Sequence, residues 1–295
     1  MNRLFTFGCS FTSYNWPTWA DILAQEYDQY QNWGRPGAGN HFIFYSLVEA
    51  IKRYRITHND TVMIMWTSVG REDRYIKGKW ATPGSIWHSD YTQDYIEKYA
   101  DPTGYLLTNV TIIDAAKSLL DNIGCQYKMF KVIPFTAIDD SPFKITFKLD
   151  QEEKEIRNLY QDTFNVIRPS VHKIIFNNNW NSRNHIYLKG IEQKTINDLK
   201  ISYNNCSGPD WPTFQEFLTG RDIEPGYEFL INVRNKLKNK QRIDAHPTPL
   251  EHAEYLEKVG ITLSSKQKEY AANWDNNLLT NIDFDFISTG RPKRF

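Results

Sequence analysis

Seven consecutive residues, Thr61-Val62-Met63-Ile64-Met65-Trp66-Thr67, are almost uninterruptedly apolar. A run this short and this apolar suits a β-strand covered on both faces, because a half-exposed strand would alternate apolar with polar residues. Covering both faces requires a layer of helices on each side, and the surrounding pattern supplies them. Residues 3–9 and 30–33 read as strands. Residues 17–27, with Trp19, Ile22, Leu23 and Tyr27, and residues 40–54, with Phe42, Ile43, Leu47, Ala50 and Ile51, have helical spacing. Further on, 107–122 and 150–166 read as helices, and 126–133 and Val171 to Phe176 as β-like runs.

Strands alternating with helices pair in parallel through right-handed crossovers. The expected fold class is therefore α/β, a three-layer α/β/α sandwich with a mainly parallel sheet of about five strands. Two stretches break the alternation. Residues 70–104 are rich in Trp, Tyr and charge, and residues 177–240 are Asn-rich and irregular, with one helical pattern at 226–238. Both read as insertions into a single domain spanning residues 1–295.

Composition narrows the function classes. The 35 basic and 35 acidic residues balance, so no electrostatic footprint for nucleic acid is expected. Three cysteines without close spacing (Cys9, Cys125, Cys206) argue against a disulfide framework or a zinc knuckle. Residues 1–20 carry no basic leader followed by an apolar stretch, and no run reaches the length of a membrane span. The expectation is a chain without a signal peptide and not in a membrane, cytoplasmic or virion-associated. Oligomeric state is not legible.

The chemistry-bearing residues lie at opposite ends of the chain. In Leu4-Phe5-Thr6-Phe7-Gly8-Cys9-Ser10-Phe11-Thr12 an apolar run ends in a small-residue turn that presents a hydroxyl. Far downstream, Asp244-Ala245-His246-Pro247 sets a carboxylate beside an imidazole. A neutral hydroxyl attacks a carbonyl poorly until an oriented base takes its proton, so Ser, His and Asp together point to nucleophilic acyl transfer. After His246, Thr248 and Glu251 form a capping-box signal with Pro249 at the first helical position. Leu250, Ala253 and Leu256 then continue as an apolar stripe, which ties His246 to a helix start.

Four segments, taken in order, resemble the blocks of the SGNH (GDSL-type) hydrolases. Gly8-Cys9-Ser10-Phe11-Thr12 resembles the first block, and Asn32-Trp33-Gly34-Arg35-Pro36-Gly37-Ala38-Gly39-Asn40 the second. Trp66-Thr67-Ser68-Val69-Gly70-Arg71 stands where the third block would follow the third strand, and Asp244-Ala245-His246-Pro247 resembles the fifth. The resemblance implies a flavodoxin-like sandwich and a serine ester hydrolase that needs no cofactor or metal. It implies Ser10 as nucleophile, His246 as general base and Asp244 as the acid that orients it. The oxyanion donors it implies are the Ser10 and Gly37 N–H groups and Ser68. The chain departs from the pattern at Cys9, where the family has aspartate, at Ser68, where it has asparagine, and at Asp244, two rather than three residues before the histidine. Arg71 is a rival for the third donor and a candidate substrate contact.

Other residues have competing readings. Cys9 points away from Ser10 on a strand end and reads as a buried small hydrophobe. Asn40 reads as a helix cap. His252 beside Asp244 and His246 fits no zinc spacing. The aromatic group Tyr75, Trp80, Trp87, Tyr91, Tyr95 and Tyr99 reads either as a small local core or as a platform on which sugar rings stack, with Trp80 and Trp87 as the substrate contacts. The expected substrate is an O-acetyl ester on a saccharide. The alternatives are a glycan-binding module on the same scaffold and an acyltransferase to a sugar.

Overall fold

The computed structural model describes residues 2–86, 91–135, 151–176, 185–186, 193–206, 243–244 and 246–280, together with 286, 288 and 290. In chain order the strands are β1 (Arg3–Phe7), β2 (Gln29–Asn32), β3 (Thr61–Trp66), the hairpin β4 (Arg71–Ile76) and β5 (Lys79–Ser85), β6 (Gln126–Lys131) and β7 (Ile167–Ser170). A short pair, β8 (His185–Ile186) and β9 (Ile243–Asp244), follows. The main sheet has the order β2-β1-β3-β6-β7 and every described pairing in it is parallel. With the hairpin set aside this is the 2-1-3-4-5 order of flavodoxin-like sheets.

The main-sheet strands alternate between two cores, which explains the continuous apolar run. Val62, Ile64 and Trp66 of β3 face one core, with Phe5 and Phe7 of β1 and Met129 of β6. Met63 and Met65 face the other, with Leu4 and Phe130. The first core is closed by α2 (Asn40–Tyr54), α4 (Pro102–Ile123) and α5 (Gln151–Leu159), through Ile43, Leu47, Leu106, Val110, Ile113 and Ile156. The second is closed by α1 (Trp19–Leu23), α7 (Val171–Ile175), α9 (Pro249–Lys258) and α10 (Ser265–Thr280). Side chains as large as Phe5, Phe7 and Phe130 are fully covered, and burying each contributes roughly 1.5–3 kcal/mol.

Three expectations are corrected. Val171 to Phe176 is not a strand. The strand is Ile167–Ser170, and Val171–Ile175 is a helical turn. The Ser170 hydroxyl caps it by accepting from the Lys173 N–H at 3.0 Å, and Val171, His172 and Ile175 all point inward. A β-branched run is compatible with one helical turn when a cap and burial both favour it. Residues 150–166 form two helices, α5 and α6 (Gln161–Val166), broken at Tyr160. Leu250 does not join the apolar stripe of α9. It is exposed, and the buried face carries His252, Ala253, Tyr255 and Leu256.

In the 70–104 stretch the hairpin is followed by α3 (Gln93–Tyr99) and the start of α4. Asp73 of β4 ties the hairpin to the sandwich. Its carboxylate accepts from the Gly39 and Phe42 N–H groups at 2.8 Å each, capping α2, whose own N-cap residue, Gly39, has no side chain. Of residues 177–240, α8 (Gln193–Cys206) and Ile186 with His185 are described. The helical pattern at 226–238 lies outside the described residues. No helix among the described residues is long and apolar enough to cross a membrane.

Candidate active site

β1 lies between β2 and β3, and all three run the same way, so their carboxyl ends meet at one edge of the sheet. Chain leaving β1 goes to one side and chain leaving β2 to the other, which opens a crevice at that edge. The loops there carry Ser10 after β1, Gly37 after β2 and Ser68 after β3.

The Ser10 turn is closely built. The Thr12 and Ser13 N–H groups both donate to the Cys9 carbonyl, at 3.0 and 3.1 Å. Gly8 is required before it, because a Cβ there would stand 2.0 Å from the Thr12 hydroxyl oxygen. Cys9 is fully buried in the core, while Ser10 keeps 7% of its surface. The second-block loop is bonded onto this turn. Arg35 N–H donates to the Gly8 carbonyl at 3.0 Å, and the Asn32 side-chain amide donates to the Thr12 carbonyl at 2.8 Å.

His246 comes to this turn from the other end of the chain. Its Nε2 lies 2.8 Å from the Ser10 Oγ. For Nε2 to accept the hydroxyl proton, the ring's own proton must sit on Nδ1. The imidazole is packed on two aromatic rings of the segment that follows Ser10: Tyr14 is stacked, with centroids 3.9 Å apart and planes at 17°, and Phe11 is tilted at 4.8 Å. The next residue is anchored as well, since the Trp16 indole N–H donates to the Pro247 carbonyl at 2.9 Å in a buried bond. The capping box read from Thr248 and Glu251 is present, with Pro249 at the helix start. Three of these contacts (Phe11, Tyr14, Trp16) were not anticipated. The available signal was three aromatic residues crowded within six positions after Ser10.

The remaining candidates fall as follows. Asp244 lies in β9, paired through its backbone with His185, and its carboxylate lies outside the described residues. Gly37 has φ of +77° in the Arg35-Pro36-Gly37-Ala38 turn, closed by the Ala38 N–H donating to the Arg35 carbonyl at 3.1 Å. A Cβ at Gly37 would stand 2.4 Å from the Thr82 carbonyl oxygen of the hairpin. Ser68 is half-buried, and its hydroxyl accepts from the Gly70 N–H at 3.3 Å while retaining its own proton to donate. Arg71 donates to the Ala38 carbonyl at 3.0 Å, which places its guanidinium beside the residue after Gly37.

Asn40 is not the helix cap. It is the first residue of α2, and its buried amide accepts from Thr67 N–H at 2.8 Å and donates to Thr67 O and to Asn109 Oδ1. It therefore fixes the end of β3 against α4. Trp80 packs in T-shaped contact on Phe42 and against Tyr45, with its carbonyl accepting from Arg35. It belongs to a local cluster between hairpin and α2. Trp87 lies outside the described residues. His252 is buried in α9, with its Nδ1 unbonded, and desolvation brings its pKa down from 6.5 to about 3. Among the described residues no group of His, Cys, Asp and Glu is arranged to hold a metal.

No protein-family model matches this chain, and no curated protein does. Among the solved structures similar to parts of it are the following two. One is a member of the lipolytic protein G-D-S-L family from Veillonella parvula DSM 2008, at 15% identity, covering 60% of this chain and 81% of that one with a TM-score of 0.30. The other is a proposed lipolytic protein of G-D-S-L family from Desulfitobacterium hafniense DCB-2, at 15% identity, covering 59% and 79% with a TM-score of 0.31.

Proposed function

We propose that this chain is a serine-dependent hydrolase of carboxylic esters, and that its substrate is an O-acetylated saccharide. The observation that carries the first part is the 2.8 Å approach of His246 Nε2 to Ser10 Oγ at the carboxyl edge of a parallel sheet. An unactivated serine is a poor nucleophile, and a positioned imidazole is what activates it.

In this reading the Ser10 proton passes to His246 Nε2 as Oγ bonds to the ester carbonyl carbon. The carbonyl oxygen becomes an oxyanion, received by the N–H groups of Ser10 and Gly37 and by a third donor, Ser68 or Arg71. Each preorganised donor is worth about 3–4 kcal/mol in the transition state. The C–O bond then breaks, and the leaving alcohol takes the proton back from His246. Water, deprotonated by His246, attacks the acyl-serine; the acyl C–Oγ bond breaks, His246 returns the proton to Ser10 Oγ, and the acid leaves. Asp244 is assigned to the Nδ1 side of the imidazole, where an acid would hold the ring proton and stabilise the imidazolium. No cofactor enters this scheme.

The test is turnover of p-nitrophenyl acetate together with labelling by a fluorophosphonate. Both are expected in the natural protein, and both should vanish in Ser10→Ala. A protein that neither turns over the ester nor takes the label is not a serine hydrolase. Acetate release from acetylated oligosaccharides, compared with release from long-chain acyl esters, tests the substrate class.

A further inference from the structure

A second concavity of about 470 Å³ opens between the hairpin, α3 and the start of α4. That volume lies within the range of small-ligand sites. Its lining includes Arg71, Glu72 and Arg74 of β4, Tyr95 and Tyr99 of α3, and Tyr105 of α4. Not one of its lining residues has an aliphatic side chain. The apolar part of the lining comes from the rings of Tyr95, Tyr99 and Tyr105 rather than from aliphatic side chains, and the mixed guanidinium and carboxylate lining steers neither a strong anion nor a strong cation.

The floor is rigid. The Glu72 carboxylate accepts from Tyr105, from Arg74 at 2.7 Å and from Tyr95. Burial works against its charge, but the hydrogen bonds from Tyr105 and Arg74 outweigh it and hold its pKa below the usual range. The Arg74 guanidinium also lies 5.4 Å from the centre of the Tyr95 ring. At the rim, Tyr99 meets Tyr95 with centroids 4.9 Å apart and remains 56% exposed. Donors and acceptors beside the exposed Tyr99 ring, which the Lys98 ammonium approaches to 5.1 Å from its centre, match a ligand that bears hydroxyl groups around a C–H-rich ring, since the electron-rich ring attracts the slightly positive C–H edges. Arg71 links this concavity to the hydrolytic crevice, because its guanidinium reaches the Ala38 carbonyl next to Gly37.

We propose that this tyrosine-lined cleft is a saccharide-binding subsite that presents an acylated glycan to Ser10. The proposal rests on the hydrolase reading for its role and on the cleft alone for its ligand. It moves the sugar platform from Trp80, which packs on α2, to Tyr95 and Tyr99.

The experiment titrates Ser10→Ala protein with xylo-, chito- and malto-oligosaccharides and, as a contrast, with decanoate, by calorimetry. At least one oligosaccharide is expected to bind at millimolar concentration or below. Adding Tyr99→Ala should weaken that binding about tenfold, the scale of one aromatic contact. Glu72→Gln, with folding checked by thermal melting, should weaken binding as well. Binding of decanoate alone, binding of no oligosaccharide, or oligosaccharide binding indifferent to both substitutions overturns the subsite. Oligosaccharide binding that depends on Tyr99, in a protein that never cleaves p-nitrophenyl acetate, sustains the subsite and overturns the hydrolase reading instead.

Discussion

The imidazole of His246 lies face to face on the ring of Tyr14, 3.9 Å between centroids, while its Nε2 meets Ser10. A stacked ring restricts rotation of the imidazole and attracts it when it carries positive charge. Replacing Tyr14 by Leu is expected to lower kcat/KM for p-nitrophenyl acetate about tenfold, whereas Tyr14→Phe keeps most of it. Equal losses in the two variants would assign the effect to the phenol hydroxyl rather than to the ring.

Trp16 acts one residue further along. Its indole N–H to the Pro247 carbonyl is buried, so removing the donor leaves an acceptor without its partner, at about 1–3 kcal/mol. Trp16→Phe should lower the melting temperature and also kcat, because Pro247 is bonded to His246. A variant that loses stability but retains full kcat would show that the imidazole is held without this anchor.

Gly37 is expected to tolerate no side chain. Its φ of +77° costs a non-glycine residue about 1–2 kcal/mol, and a Cβ would in addition collide with the Thr82 carbonyl. Gly37→Ala should therefore both destabilise the protein and displace the hairpin from the second-block loop. Thermal melting and ester turnover measured on the same sample check this. Unchanged melting temperature and turnover would show that the loop accommodates a side chain at this position.

His252 makes stability depend on pH with a definite sign. Burial, with His246 nearby, lowers its pKa from 6.5 to about 3, against the opposing pull of Glu251. Between those values the unfolded chain binds a proton at this position and the folded chain does not. Stability contributed here is complete above 6.5 and falls as the pH drops toward 3, by up to about 1.4 kcal/mol per pH unit. Melting temperatures of the natural protein and of His252→Leu should therefore diverge below neutrality, with the variant less acid-sensitive. Parallel curves would refute the assignment.

The parallel sheet was legible because β3 carries apolar residues toward two cores at once, and only a sandwiched strand does that. Ser10 and His246 were legible as candidates because each sits in a short segment with its own local logic, a small-residue turn and a capping box. The helix at Val171–Ile175 was not, since a β-branched pentapeptide gives way to a serine cap and inward packing only in tertiary context. Asn40 was misread for a related reason: the carboxylate that caps α2 is Asp73, thirty-three residues later in the chain, which frees the asparagine to bond Thr67 and Asn109. The aromatic contacts around His246 join rings 232 and 235 positions away, a distance that no local pattern reports.

The hydroxyl and the imidazole that meet in this crevice are separated by 236 positions, one in the first turn after β1 and the other just ahead of α9. During synthesis the serine leaves the ribosome long before the histidine that meets it exists. Under the proposed assignment, a nascent chain that stops ahead of residue 246 would carry the hydroxyl without the imidazole, so reactivity toward an ester would double as a report that the two distant segments have docked.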